Sequence, residues 1–102
     1  MHYQKPNTNA SVIVITRDTG LAGSLCATKV FANGKLAAYV KPGEKVVLHI
    51  PSSQIILGAQ PSGICGGGFV EIQAKASPGK RSYYRISADH SGTTGLHPTS
   101  FK

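Results

Sequence analysis

Acidic side chains are scarce in this chain: Asp18, Glu44, Glu71 and Asp89 are the only four. No two are close in sequence, and three sit in or beside turn signals, where carboxylates commonly cap backbone N–H groups. That scarcity argues against a hydrolase built on paired carboxylates. Cysteine is almost as rare. Cys26 and Cys65 stand far apart, neither within a C-x-x-C, and two thiols alone do not make a structural zinc site, which takes four ligands. No run approaches the about 20 apolar residues of a membrane-spanning helix, and no window holds helical or heptad periodicity beyond a turn or two. Charged residues make up 15% of the chain, below the usual ~25%. These absences exclude a coiled coil, a chain crossing a membrane by a helix, a collagen-like repeat and an acidic disordered tail.

What is present is a chain of 102 residues, enough for one core and too short for two. Folding at this size removes roughly 65% of the unfolded surface from water. Twelve glycines and six prolines imply many turns. Eleven Lys and Arg leave a net charge of +7, which draws anionic partners: nucleic acid, acidic proteins or an anionic membrane face. The lysines Lys29, Lys35, Lys41, Lys45, Lys75 and Lys80 are scattered, however, so no basic run marks a binding segment. A Cys26–Cys65 disulfide would stabilise the domain by about 4 kcal/mol in the chain-entropy model, against a total of ~5–15 kcal/mol. Two buried free thiols are the alternative, and the small size of the domain favours the disulfide.

Along the chain, residues 1–10 read as a flexible N-terminal leader. Ser11–Thr16 is a β-branched run without a polar face, which suits a strand covered on both sides. Leu25–Ala32 is a second strand, ended by Asn33-Gly34, where both positions tolerate the positive φ of a tight hairpin turn. Lys35–Val40 returns as a third strand, and Lys41-Pro42-Gly43-Glu44 turns again. Lys45–Ile50 and Gln54–Ala59 follow, separated by Pro51. Pro61–Gly68 is irregular. Phe69–Ala76 alternates, with Val70, Ile72 and Ala74 inward, and Lys80–Ala88 alternates with Tyr84, Ile86 and Ala88 inward. The two alternating runs pair as a hairpin through Ser77-Pro78-Gly79 with Gly79 in the left-handed region. The expectation is all-β: a small antiparallel β-sandwich of about seven strands, Ig-like or transthyretin-like, with a small β-barrel as the alternative. The domain spans residues 11–88, and residues 89–102 form a loosely ordered C-terminal tail.

Catalytic groups do not converge. His2, His49, His90 and His97 are the histidines, and Asp89, His90 and His97 make a tail cluster whose spacing matches no regular ligand pattern. Gly63-Ile64-Cys65-Gly66-Gly67-Gly68 lacks the Lys-Ser/Thr of a phosphate loop. No catalytic set, metal site or cofactor is expected. An enzyme using Cys65 or the tail histidines ranks last. The sharpest binding feature is the outward row Arg81, Tyr83, Arg85, with Lys75 and Lys80 nearby and Glu71 diluting it from the neighbouring strand. Cations flanking an aromatic suit a stacking platform for single-stranded nucleic acid, although one tyrosine is a thin platform.

The segments S-V-I-V-I-T-R at 11–17, K-V-F-A-N-G-K-L-A-A-Y-V-K-P-G-E at 29–44 and K-R-S-Y-Y-R-I-S at 80–87 resemble a bacterial domain-of-unknown-function family of small β-rich envelope lipoproteins. The likeness implies a sandwich-type periplasmic domain tethered to the outer membrane by a lipidated N-terminal cysteine, without assigned catalysis. An envelope location agrees with a disulfide and with the polar leader Gln4–Asn9. The leading expectation is therefore a non-enzymatic periplasmic binding module, touching the membrane only through a lipid anchor. Its partner is another envelope protein or an anionic envelope component. A small basic barrel binding single-stranded nucleic acid is the alternative. Protein recovered from an oxidising compartment should show an intact mass two hydrogens below that of the reduced chain and take up no alkylating reagent until reduced; labelling of both Cys26 and Cys65 without reductant would refute the disulfide.

Overall fold

The computed structural model describes residues 10–17, 27–41, 43–51, 54–61, 69–75, 79–88 and 94–99. Every described element is a strand: β1 (Ser11–Arg17), β2 (Thr28–Ala32), β3 (Lys35–Val40), β4 (Lys45–Ile50), β5 (Gln54–Pro61), β6 (Val70–Lys75), β7 (Arg81–Ala88) and β8 (Thr94–Pro98). They form two four-stranded sheets, in the orders β4-β1-β7-β8 and β3-β2-β5-β6. The all-β sandwich expected from the alternation is thus what forms, and the two sheets do not close into a barrel.

The β-branched run of β1 has a structural reason. Central in its sheet, β1 is flanked by β4 and β7, and its alternation puts Ile13 and Ile15 at 0% exposure in the core while Val14 is 3% exposed on the opposite face. Ile13 and Ile15 join Leu48 and Ile50 of β4, Tyr84 and Ile86 of β7 and Leu96 of β8. Across the interior they meet Val30, Ala32, Ala38, Val40, Ile55, Leu57, Ala59 and Ala74 from the second sheet. Each fully buried Ile or Leu contributes about 1.5–3 kcal/mol of hydrophobic stabilisation. At Asn33-Gly34 the turn holds φ at 51° and 79°, and the Asn33 side chain accepts a 2.9 Å bond from the Ile56 N–H of β5.

Four expectations are corrected. The strands number eight among the described residues, because Thr94–Pro98 pairs with β7 and buries Leu96, so the sandwich runs beyond residue 88 into the segment read as a loose tail. One central pairing is parallel: β1 runs with β7, from Val12↔Arg81 to Arg17↔Ile86. The expected hairpin at Ser77-Pro78-Gly79 does not form. β6 and β7 belong to different sheets, and Gly79, at φ 78° as expected, instead donates its N–H to Ala10 O at 3.2 Å. Alternation identified Val70, Ile72, Ala74, Tyr84 and Ile86 as inward correctly, the side chain of Ala88 lying outside the described residues, but it carries no information on which strand each one pairs with. Lastly, Glu71 does not neighbour the Arg81–Arg85 row, because it sits on the other sheet.

Arg17 ends β1 on the inward side of the sheet, 7% exposed. Its Nη1 donates to Val40 O of the opposing sheet at 3.1 Å. Its backbone N–H donates to Glu44 O at 2.9 Å, and its carbonyl accepts from Gly43 N–H at 3.0 Å. One residue therefore grips the β3–β4 connection at three points where the chain passes between sheets. Burial pulls the guanidinium below its ordinary pKa, the opposite of what a carboxylate partner would do. Arg17→Met keeps the stem and removes the donors. It should lower unfolding free energy by about 1–3 kcal/mol in urea titration with an unchanged m-value. Burial also pushes the Tyr84 phenol above its ordinary value. The unfolded chain then loses that proton first as pH rises, so stability should fall above about pH 10, and Tyr84→Phe should flatten that alkaline limb in thermal melts across pH.

Candidate functional site

The outward-facing residues of the β4-β1-β7-β8 sheet form a grid set by strand register. One row crosses all four strands: Lys45, Thr16, Arg85 and His97. With strands ~4.8 Å apart, that row spans about 14 Å. A second row places Val47, Val14 and Tyr83 side by side, and a third places His49, Val12 and Arg81. The cationic and imidazole groups thus flank an apolar centre in which Val14 is buried and both Val47 and Tyr83 are half-buried. Lys45, Arg81, Arg85 and His97 are exposed, and His49 is half-buried.

A bare backbone position sets the place of His97. A Cβ on Gly95 would lie 2.5 Å from His97 Nε2 and 2.9 Å from Ser87 Oγ, so the glycine leaves the space that the imidazole occupies next to the hydroxyl. Thr16, Ser87 and His97 therefore add hydrogen-bonding groups between and beside the cations. Among the described residues no carboxylate shares this face. Glu44 lies in the turn before β4, where its Oε1 accepts from Lys41 N–H at 2.8 Å, and Glu71 projects from the other sheet.

Of the sequence-predicted surface, Arg81, Tyr83 and Arg85 do lie together on the outer face of β7. Lys80 is exposed just ahead of that strand, its carbonyl accepting from Val12 N–H at 3.1 Å. Lys75 ends β6 opposite Gln54, in the other sheet, and is not part of the grid. Sequence reasoning did not place Lys45, His49 or His97 in this surface. Each alternates to the polar side of its own strand, but only the pairings of β1 with β4 and β7, and of β7 with β8, bring them into one array.

Chemically, the face offers fixed positive charge and donors spread over more than one row, with no acid beside them. That arrangement suits an extended anion with repeated negative groups better than a single phosphate, which would be enclosed. Among the described residues no group of three His, Cys, Asp or Glu could hold a metal ion. Cys26, Cys65, the Gly63–Gly68 segment, Asp89 and His90 lie outside the described residues. Neither a protein-family model, nor a curated protein, nor a solved structure matches this chain.

Proposed function

We propose that the protein is a non-enzymatic binding module of the bacterial periplasm, held at the envelope by a lipidated tether, that docks an anionic envelope component. Docking uses the outer face of the β4-β1-β7-β8 sheet. The observation that carries this reading is the register-built grid of Lys45, Arg81 and Arg85 with His49 and His97, free of carboxylates among the described residues. In a chain of net charge +7 such a face concentrates the positive potential and steers anionic surfaces onto it. The envelope location rests on the resemblance carried by residues 11–17, 29–44 and 80–87. Nucleic acid is the second reading. Tyr83 is the one aromatic on this face among the described residues and is half-buried, which leaves little surface for stacking successive bases.

Co-sedimentation with vesicles tests the proposal. Vesicles containing phosphatidylglycerol should bind the protein at low salt and release it as salt is raised, and phosphatidylcholine vesicles should not. At about 1 kcal/mol per basic side chain near an anionic surface, Arg81→Gln with Arg85→Gln should weaken binding by about thirtyfold. Lys29→Gln, on the other sheet, should change it little. Equal binding to both vesicle types, or full affinity in the double variant, would overturn the reading. Preference for a single-stranded oligonucleotide over the vesicles would install the second one.

A further inference from the structure

The β3-β2-β5-β6 sheet carries an apolar cluster on its outer face, Phe31, Leu36, Tyr39, Ile56 and Phe69, set among the polar positions Lys29, Gln54, Gln60, Glu71 and Gln73. Outward positions there bring Lys29 beside Tyr39 and Gln60, Phe31 beside Leu36 and Gly58, and Gly58 beside Glu71. The exposed large hydrophobics of the described residues are Tyr39 at 48%, Ile56 at 39% and Phe69 at 47%, and all three lie on this face. Phe69, just ahead of β6, lays its ring onto β5. Its Cζ sits 2.9 Å from where a Gly58 Cβ would be, and its ring meets Phe31 edge-on, centroids 5.6 Å apart and planes at 76°. Gly58 is buried beneath it. An outer sheet of a sandwich ordinarily alternates apolar in and polar out, so apolar side chains gathered on an outer face mark a surface for contact.

We propose that a second copy of this chain docks face to face on the Phe31–Phe69 surface, making a symmetric dimer. The charges on the face are self-complementary. Lys29 lies on β2 and Glu71 on β6, with β5 and the Phe69 ring between them, so a twofold axis through the aromatic pair sets Lys29 of each copy toward Glu71 of the partner subunit. The positions next to the pair, Gln60 and Gln73, are neutral, and Lys75 stands at the end of β6 opposite Gln54. This matters in a molecule of net charge +7, whose copies repel less where a carboxylate on each face meets a lysine of the other. Packed this way, the two cationic faces point apart. With sheets about 10 Å apart they stand roughly 30 Å from each other, several times the ~8 Å screening length at physiological salt. An anionic partner, by contrast, is drawn to the opposite sheet. Four strands of five to eight residues present roughly 400 Å² of projected face, less than the ~800 Å² per partner of a standard interface, so the dimer is a weak one.

Sedimentation velocity of the full chain from about 20 µM to about 2 mM tests this, with a dimer constant expected at roughly 0.1–1 mM. Ile56→Glu and Phe69→Ser should each weaken self-association about tenfold or more, with the strand signature in circular dichroism retained; should Phe69→Ser fail to fold, Ile56→Glu alone carries the test. Glu71→Lys should weaken the dimer, and Lys29→Glu added to it should restore affinity. Arg81→Gln with Arg85→Gln should leave it intact, which separates this proposal from the anion-binding one. A monomer at every concentration, or a dimer insensitive to Ile56→Glu, would overturn it.

Discussion

The hydrogen bond from Arg17 Nη1 to Val40 O joins the two sheets at the end where the chain crosses from β3 to β4. A guanidinium is a costly group to bury, and here it donates to the Val40 carbonyl at the end of β3. The same residue holds Gly43 and Glu44 through its backbone. That grip sets where β4 begins, and therefore which residues of β4 stand opposite β1. Lys45 falls beside Thr16 and His49 beside Val12 through this register. A one-residue slip would send Leu48 and Ile50 outward and Lys45 and His49 into the core.

Two unlike outer faces result. The β4-β1-β7-β8 sheet turns basic groups outward around an apolar centre, while the β3-β2-β5-β6 sheet turns Tyr39, Ile56 and Phe69 outward with Lys29 and Glu71. The core between them is of ordinary sandwich type, so the surface chemistry is decoupled from the packing that holds the fold together. A face with fixed charge works through long-range attraction that salt weakens; an apolar face works through short-range burial that salt leaves standing. The two faces can serve different partners on opposite sides of one small scaffold.

Much of the fold was legible residue by residue. The alternation of Val70–Lys75 and Arg81–Ala88 showed which side chains point inward, and Asn33-Gly34 marked a hairpin turn whose positive φ angles the structure contains. The β-branched density of Ser11–Arg17 signalled a strand, but not one covered on both faces: β1 is central in its sheet with no layer over its outer side, where Val12 and Thr16 are half-buried and Val14 is buried. Thr94–Pro98 was not legible, because a five-residue strand with one large apolar side chain, Leu96, has too short a pattern to stand out from a Gly- and Thr-rich loop. Of the candidate site, the Arg81-Tyr83-Arg85 row was readable and its neighbours Lys45 and His97 were not. Nothing local distinguishes an outward lysine that joins an array from one that stands alone.

Local sequence determined strand existence, facing and turn type, because these depend on side-chain period and on φ preferences within a few residues. Tertiary structure alone decided partnership: that β7 leaves β6 to run parallel with β1, that Glu71 and Lys75 end up on the sheet away from Arg81, and that Phe69 crosses onto Gly58. Pairing is chosen by the joint burial of both sheets and by strand ends meeting in space, and these are sums over residues far apart in the chain.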